Sequence, residues 1–63
     1  MNKRNIYEII ELLNNRPHKI YAMNAKNILS QEYGINWKRC FCTKSDIAVF
    51  VEYLNELKNN GEI

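Results

Sequence analysis

Thr43-Lys44-Ser45-Asp46-Ile47-Ala48-Val49-Phe50-Val51-Glu52-Tyr53-Leu54-Asn55-Glu56-Leu57-Lys58-Asn59-Asn60-Gly61 is the longest periodic stretch of a 63-residue chain. Ile47, Phe50, Val51, Leu54 and Leu57 recur at spacings of three and four, which puts them on one stripe of a helix. Thr43 followed three residues later by Asp46 has the spacing of a capping box with Asp in place of Glu, and Ser45 competes with Thr43 as the N-cap. Asn60-Gly61 is a stop, because glycine enters the left-handed conformation with no Cβ penalty. The core has to form against this helix.

Upstream, Asn5 and Glu8 have the spacing of a reciprocal cap, and Ile6, Ile9, Ile10 and Leu13 form a second apolar stripe that Leu12 widens. This first helix is expected to end near Asn14-Asn15-Arg16, since Pro17 disfavours helical geometry in the residue before it. At about three turns it is too short to be stable alone. His18–Met23 reads as a short extended segment, after which Asn24 caps a helix over 25–33 with Ala25, Ile28, Leu29 and Tyr33 facing inward. Gly34 ends that helix, and Ile35 can fold back as its closing apolar contact. In 36–42, alternation sets Trp37, Arg39 and Phe41 on one side and Lys38, Cys40 and Cys42 on the other. A short strand pairing with residues 20–23 fits this pattern, and so does a single helical turn. The expectation is a single domain over 1–63, mainly α, with room for a short two-stranded β element.

A chain of this size buries a marginal core, which makes a homodimer a reasonable expectation. No apolar run approaches the ~18 residues of a membrane span, and the N-terminus lacks the apolar centre of a signal peptide. Cys40 and Cys42 are the only cysteines; a disulfide across one intervening residue is geometrically poor, so two free thiols in a cytoplasmic protein are expected. The net charge of +2 hides an asymmetry: residues 1–44 carry eight Lys or Arg against three Glu, whereas 45–63 carry one Lys against four acidic residues. A positive face toward nucleic acid follows from that balance, and so does internal pairing of opposite charge.

Ile6 to Gly34-Ile35 resembles the opening of a winged helix-turn-helix domain. Asp46–Leu57 followed by Asn59-Asn60-Gly61-Glu62-Ile63 is similar to that family's recognition helix running into a first wing strand. The resemblance implies a compact three-helix, winged-helix-like DNA-binding domain. Two departures stand beside it: residues 35–43 replace the usual tight turn between the second and third helices, and the wing would be missing or reduced to its first residues, since the sequence stops at Ile63. Glu52 and Glu56 would repel phosphates, so only the N-terminal turn of the last helix, with Thr43, Lys44 and Ser45, suits an approach to DNA.

Lys38 and Arg39 beside Trp37 are the best local candidates for a contact surface, because cations neutralise phosphate and an exposed indole can stack. The alternative is that Trp37 and Phe41 are core and the cations merely solvated. Arg16, Lys19 and Lys26 extend the candidate patch, and Lys3 and Arg4 are either a basic arm or a frayed end. His18 would join Cys40 and Cys42 in a metal site only if the fold brought them together, and no fourth ligand is evident. No glycine-rich phosphate loop or paired-carboxylate motif occurs, so no catalytic residue, cofactor, metal or small-molecule substrate is expected.

The leading expectation is therefore a small non-enzymatic regulator that binds double-stranded DNA, dimeric and, from chain length alone, from a compact genome or mobile element. The alternative is an inhibitor or adaptor that offers an acidic last helix, with Val49, Glu52, Tyr53 and Glu56, to a larger protein and so mimics nucleic acid.

Overall fold

Three helices, α1 (Ile6–Asn15), α2 (Lys19–Ile28) and α3 (Lys44–Asn59), surround one core in the computed structural model, which describes residues 5–63. The basic arm expected at Lys3 and Arg4 lies outside the described residues.

The stripe of α1 is buried as its spacing requires, with Ile6, Ile9, Ile10 and Leu13 all in the core and Leu12 half-buried. Asn5 caps it by accepting from Tyr7 N at 2.8 Å, rather than through a reciprocal pair with Glu8. Arg16 then turns extended, φ −140° and ψ 91°, as the proline after it demands.

The segment after Pro17 corrects the expectation most. His18–Met23 is not extended: α2 begins at Lys19, six residues before the helix read from Asn24, and Asn24 lies inside it. Proline restricts the residue before it and is well tolerated just ahead of a helix, where its missing N–H has no intrahelical partner to lose. Ala22 N donates to His18 O at 3.0 Å in the first turn. The inward face is Ala22, Ala25 and Leu29, three and four apart, whereas Ile20, 68% exposed, points to solvent. Tyr33 is exposed as well, and Ile28 is half-buried.

Helix α2 runs on into a wider π-type turn over Leu29–Tyr33, in which Gly34 N–H reaches back to Leu29 O. Gly34 adopts φ 66°, and Ile35 N donates to Leu29 O at 3.1 Å while its side chain closes on the core. This closing contact is the one expected from Gly34-Ile35.

Among the described residues there is no β-strand, so the two-stranded element and the wing are both corrected. Residues 20–23, the expected partner strand, are helical and keep their backbone bonds within α2. Residues 34–43 are irregular, neither strand nor helical turn, with a bend at Arg39. The loop is held from within instead: Phe41 is buried against Phe50, ring centroids 5.0 Å apart, and Ser30 Oγ donates to Asn36 Oδ1 at 3.1 Å. Beyond α3 the chain turns back through Gly61, with Glu62 N bonding Leu57 O at 2.9 Å and Gly61 N bonding Lys58 O at 3.2 Å. This Schellman arrangement satisfies the last carbonyls and sets Ile63 against the core, so the residues read as a first wing strand close the helix instead. Tyr7 Oη donates to Ile63 O at 2.8 Å, joining the start of α1 to the segment after α3.

The long helix follows its sequence pattern closely. Ile47, Phe50, Leu54 and Leu57 are buried, and Val51 is half-buried. Asn14 and Asn55 exchange amide hydrogen bonds of 3.3 and 3.0 Å, which tie α3 to α1. The capping box forms on Thr43: its Oγ1 accepts from Asp46 N at 3.3 Å, and Asp46 Oδ2 accepts from Thr43 N at 3.0 Å. These bonds, first the Thr43 amide and then its hydroxyl, hold the Asp46 carboxyl below the ordinary carboxylate range. The folded-state value is depressed, so the cap's contribution is complete above the ordinary range and is lost as pH falls through the lowered value. Thr43→Ala is expected to cost about 1 kcal/mol, read as a lower urea midpoint at an unchanged denaturant slope.

Candidate functional site

The irregular loop 34–43 lies between α2 and α3, and its side chains divide between two surfaces. On the first, Lys19 and Lys26 of α2 meet Arg39, Cys40 and Cys42 of the loop around a groove of about 220 Å³, with Met23 and Phe41 as its apolar lining. Lys19 stands at the first residue of α2 and Lys26 two turns on, so the helix period itself puts both on one side. Arg39 reaches the same groove from the bend in the loop.

The second surface runs along α3. Trp37, Val49, Glu52, Tyr53 and Glu56 line a shallow groove of about 420 Å³. Trp37 is half-buried and rests on both Phe50 and Tyr53, with ring centroids 5.0 Å apart in each case. Its Nε1 is buried and meets no hydrogen-bond acceptor among the described residues. Val49 remains 37% exposed at the groove, flanked by the two carboxylates.

The expected Trp37-Lys38-Arg39 contact surface is thus split. Trp37 belongs to the core edge and the acidic groove, Arg39 to the basic groove, and Lys38 is exposed on the loop outside both. Arg16 is exposed at the end of α1, where its backbone N–H bonds Leu12 O. Lys44 and Ser45 are exposed in the first turn of α3, while the Thr43 hydroxyl is committed to the cap, accepting from Asp46 N and donating to Asp46 Oδ2.

The cysteines are where sequence reasoning fell short. Buried Phe41 faces inward, which turns its neighbours Cys40 and Cys42 outward together, and their Sγ atoms lie 2.6 Å apart. Both are free thiols. Asp46 joins them, so that the two sulfurs and a carboxylate oxygen all lie within 4.8 Å of one another. His18 is not part of this group; its ring stands edge-on to Tyr21, centroids 6.2 Å apart. The Cys42 thiol is pushed above its ordinary value, chiefly by its hydrogen bond to Cys40 and then by the Cys40 charge, while Lys19 acts in the opposite sense. The shared outward side of Cys40 and Cys42 was legible from alternation, but the approach of Asp46 is set by the cap of α3.

No helix among the described residues is long and apolar enough to cross a membrane. Compared with protein families, curated proteins and solved structures, the chain matches none of them.

Proposed function

We propose that this chain is a small non-enzymatic DNA-binding protein, a transcriptional regulator of the cytoplasm, that holds duplex phosphates in the groove of Lys19, Lys26 and Arg39. The observation that carries this reading is their convergence: three cations from two separate segments line one groove. Cations gathered on one face act on the phosphate backbone together, whereas the same charges dispersed over the surface do not. The exposed first turn of α3 adds Lys44 as a further cation beside Ser45, while the Asp46 carboxylate and the Thr43 hydroxyl close the helix end between them. Val49 and Tyr53, apolar and on the opposite groove, are the proposed dimer contacts. A duplex titration over a salt series tests the proposal. Affinity is expected to fall linearly in log–log form with a slope of about −0.9 per phosphate neutralised, and a flat dependence would rule it out.

One observation favours a second reading, in which the α3 groove binds a larger protein. Glu52 and Glu56 flank an apolar floor of Trp37, Val49 and Tyr53, a combination that suits a basic segment with an apolar anchor. Such a partner would be one whose surface otherwise holds nucleic acid.

A further inference from the structure

We propose that Cys40, Cys42 and Asp46 form a binding site for one thiophilic divalent cation of the zinc class, with two thiolate sulfurs and one carboxylate oxygen as ligands and solvent completing the shell. The proposal rests first on placement. The three ligand atoms lie within 4.8 Å of one another, and the inward anchoring of Phe41 presents both sulfurs to the same side. It rests second on how the carboxylate is held. Cys42 N, Thr43 N and Thr43 Oγ1 all donate to Asp46 Oδ2, at 3.1, 3.0 and 3.1 Å, so the group is fixed by its own neighbours while Oδ1 has no bond among the described residues. Hydrogen bonds of this kind orient ligating carboxylates and lower the cost of ordering them on binding.

The donor set selects the cation. Two sulfurs favour zinc-like ions over magnesium or calcium, which require oxygen shells. A tetrahedral ion with Zn–S bonds of about 2.3 Å would hold its sulfurs about 3.8 Å apart. The thiols now sit at 2.6 Å, so binding requires the pair to open by about 1.2 Å, and both cysteines are exposed. Binding converts two thiols to thiolates and releases two protons; with the carboxylate, the ligands bring three negative charges to a dication. Lys19, Lys26 and Arg39 line the same groove and offset the remaining negative charge.

The site does not depend on the DNA-binding reading and is tested without DNA. The full chain, kept reduced with a phosphine, is titrated with Co²⁺, followed by displacement with Zn²⁺, and native mass spectrometry reads the stoichiometry. One equivalent of Co²⁺ with sulfur-to-cobalt charge-transfer bands, bleached by one equivalent of Zn²⁺, is the expected result. Cys40→Ser, at an exposed loop position, should abolish the charge-transfer signature of a two-sulfur site while the helical circular dichroism stays. Asp46→Asn should weaken binding at least about tenfold. Absence of charge-transfer bands at a full titre of two free thiols would overturn the proposal. So would binding that survives Cys40→Ser/Cys42→Ser, or conversion of the pair to an intramolecular disulfide with no metal bound under the same reducing conditions.

Discussion

Phe50→Ala is expected to remove about a third of the protein's folding stability at the least. Phe50 is fully buried at the middle of α3, and the rings of both Trp37 and Phe41 rest on it at centroid distances of 5.0 Å. Truncating a buried Phe costs about 3–5 kcal/mol through lost transfer energy and the cavity left behind. A 63-residue domain holds only about 3–9 kcal/mol in all, at the usual ~0.05–0.15 kcal/mol per residue. The loss exceeds one packing site, because Phe41 and Trp37 are the loop's aromatic anchors on α3, and the loop has no ladder or helical bonds to fall back on. Urea unfolding followed by far-ultraviolet circular dichroism measures the change. Phe50→Leu, which keeps most of the volume, should restore the greater part of it. A cost below about 1 kcal/mol for Phe50→Ala would mean that the aromatic cluster is not the centre of the core.

The second large effect is on binding. K19E/K26E/R39E should weaken duplex affinity by about 100-fold, taking about 1 kcal/mol for each cation–phosphate pair, the upper end for exposed charges. The salt slope should become shallower by about 3, one unit for each phosphate no longer neutralised. These substitutions touch no buried side chain, since Lys19 and Arg39 are exposed and Lys26 is half-buried, so the thermal midpoint controls for folding. E52K/E56K is the companion measurement. Both carboxylates lie on the other groove, and removing their repulsion should leave duplex affinity unchanged or raise it. If E52K/E56K instead abolishes capture of a basic protein partner while the triple reversal leaves DNA affinity unaltered, the acidic groove is the working surface.

Helices α1 and α3 were legible in the sequence because their buried residues are large: isoleucine, leucine and phenylalanine at helical spacing leave little ambiguity. The capping box of Thr43 and Asp46 and the closure at Gly34-Ile35 were legible too, since each is a local event between residues a few positions apart. The first half of α2 was not. Its inward face is built from Ala22 and Ala25, whose small side chains add almost nothing to an apolar pattern, while the conspicuous Ile20 and Tyr21 suggested an extended stretch. Between its two capped ends, residues 36–42 have no regular secondary structure, so no local rule applied there. Of the candidate residues, all but Thr43, Ser45 and Val49 were visible as a cation, a carboxylate or an aromatic ring. Their sorting into two grooves was not, because Arg39 and Trp37, two positions apart, leave the loop toward different surfaces.

The π-type turn at Leu29–Tyr33 gives that sorting a phase. An α-helix advances about 100° per residue, so one residue more or less in the last turn rotates the exit of the chain by that angle. A wider turn accommodates one extra residue without breaking the helix. In this chain it sets the azimuth at which Gly34 leaves α2, and with it the side of the molecule that receives Arg39 and the two thiols. A one-residue deletion within 29–33 would keep every side chain of both grooves and yet present the loop on a different bearing, dissociating Arg39 from Lys19 and Lys26.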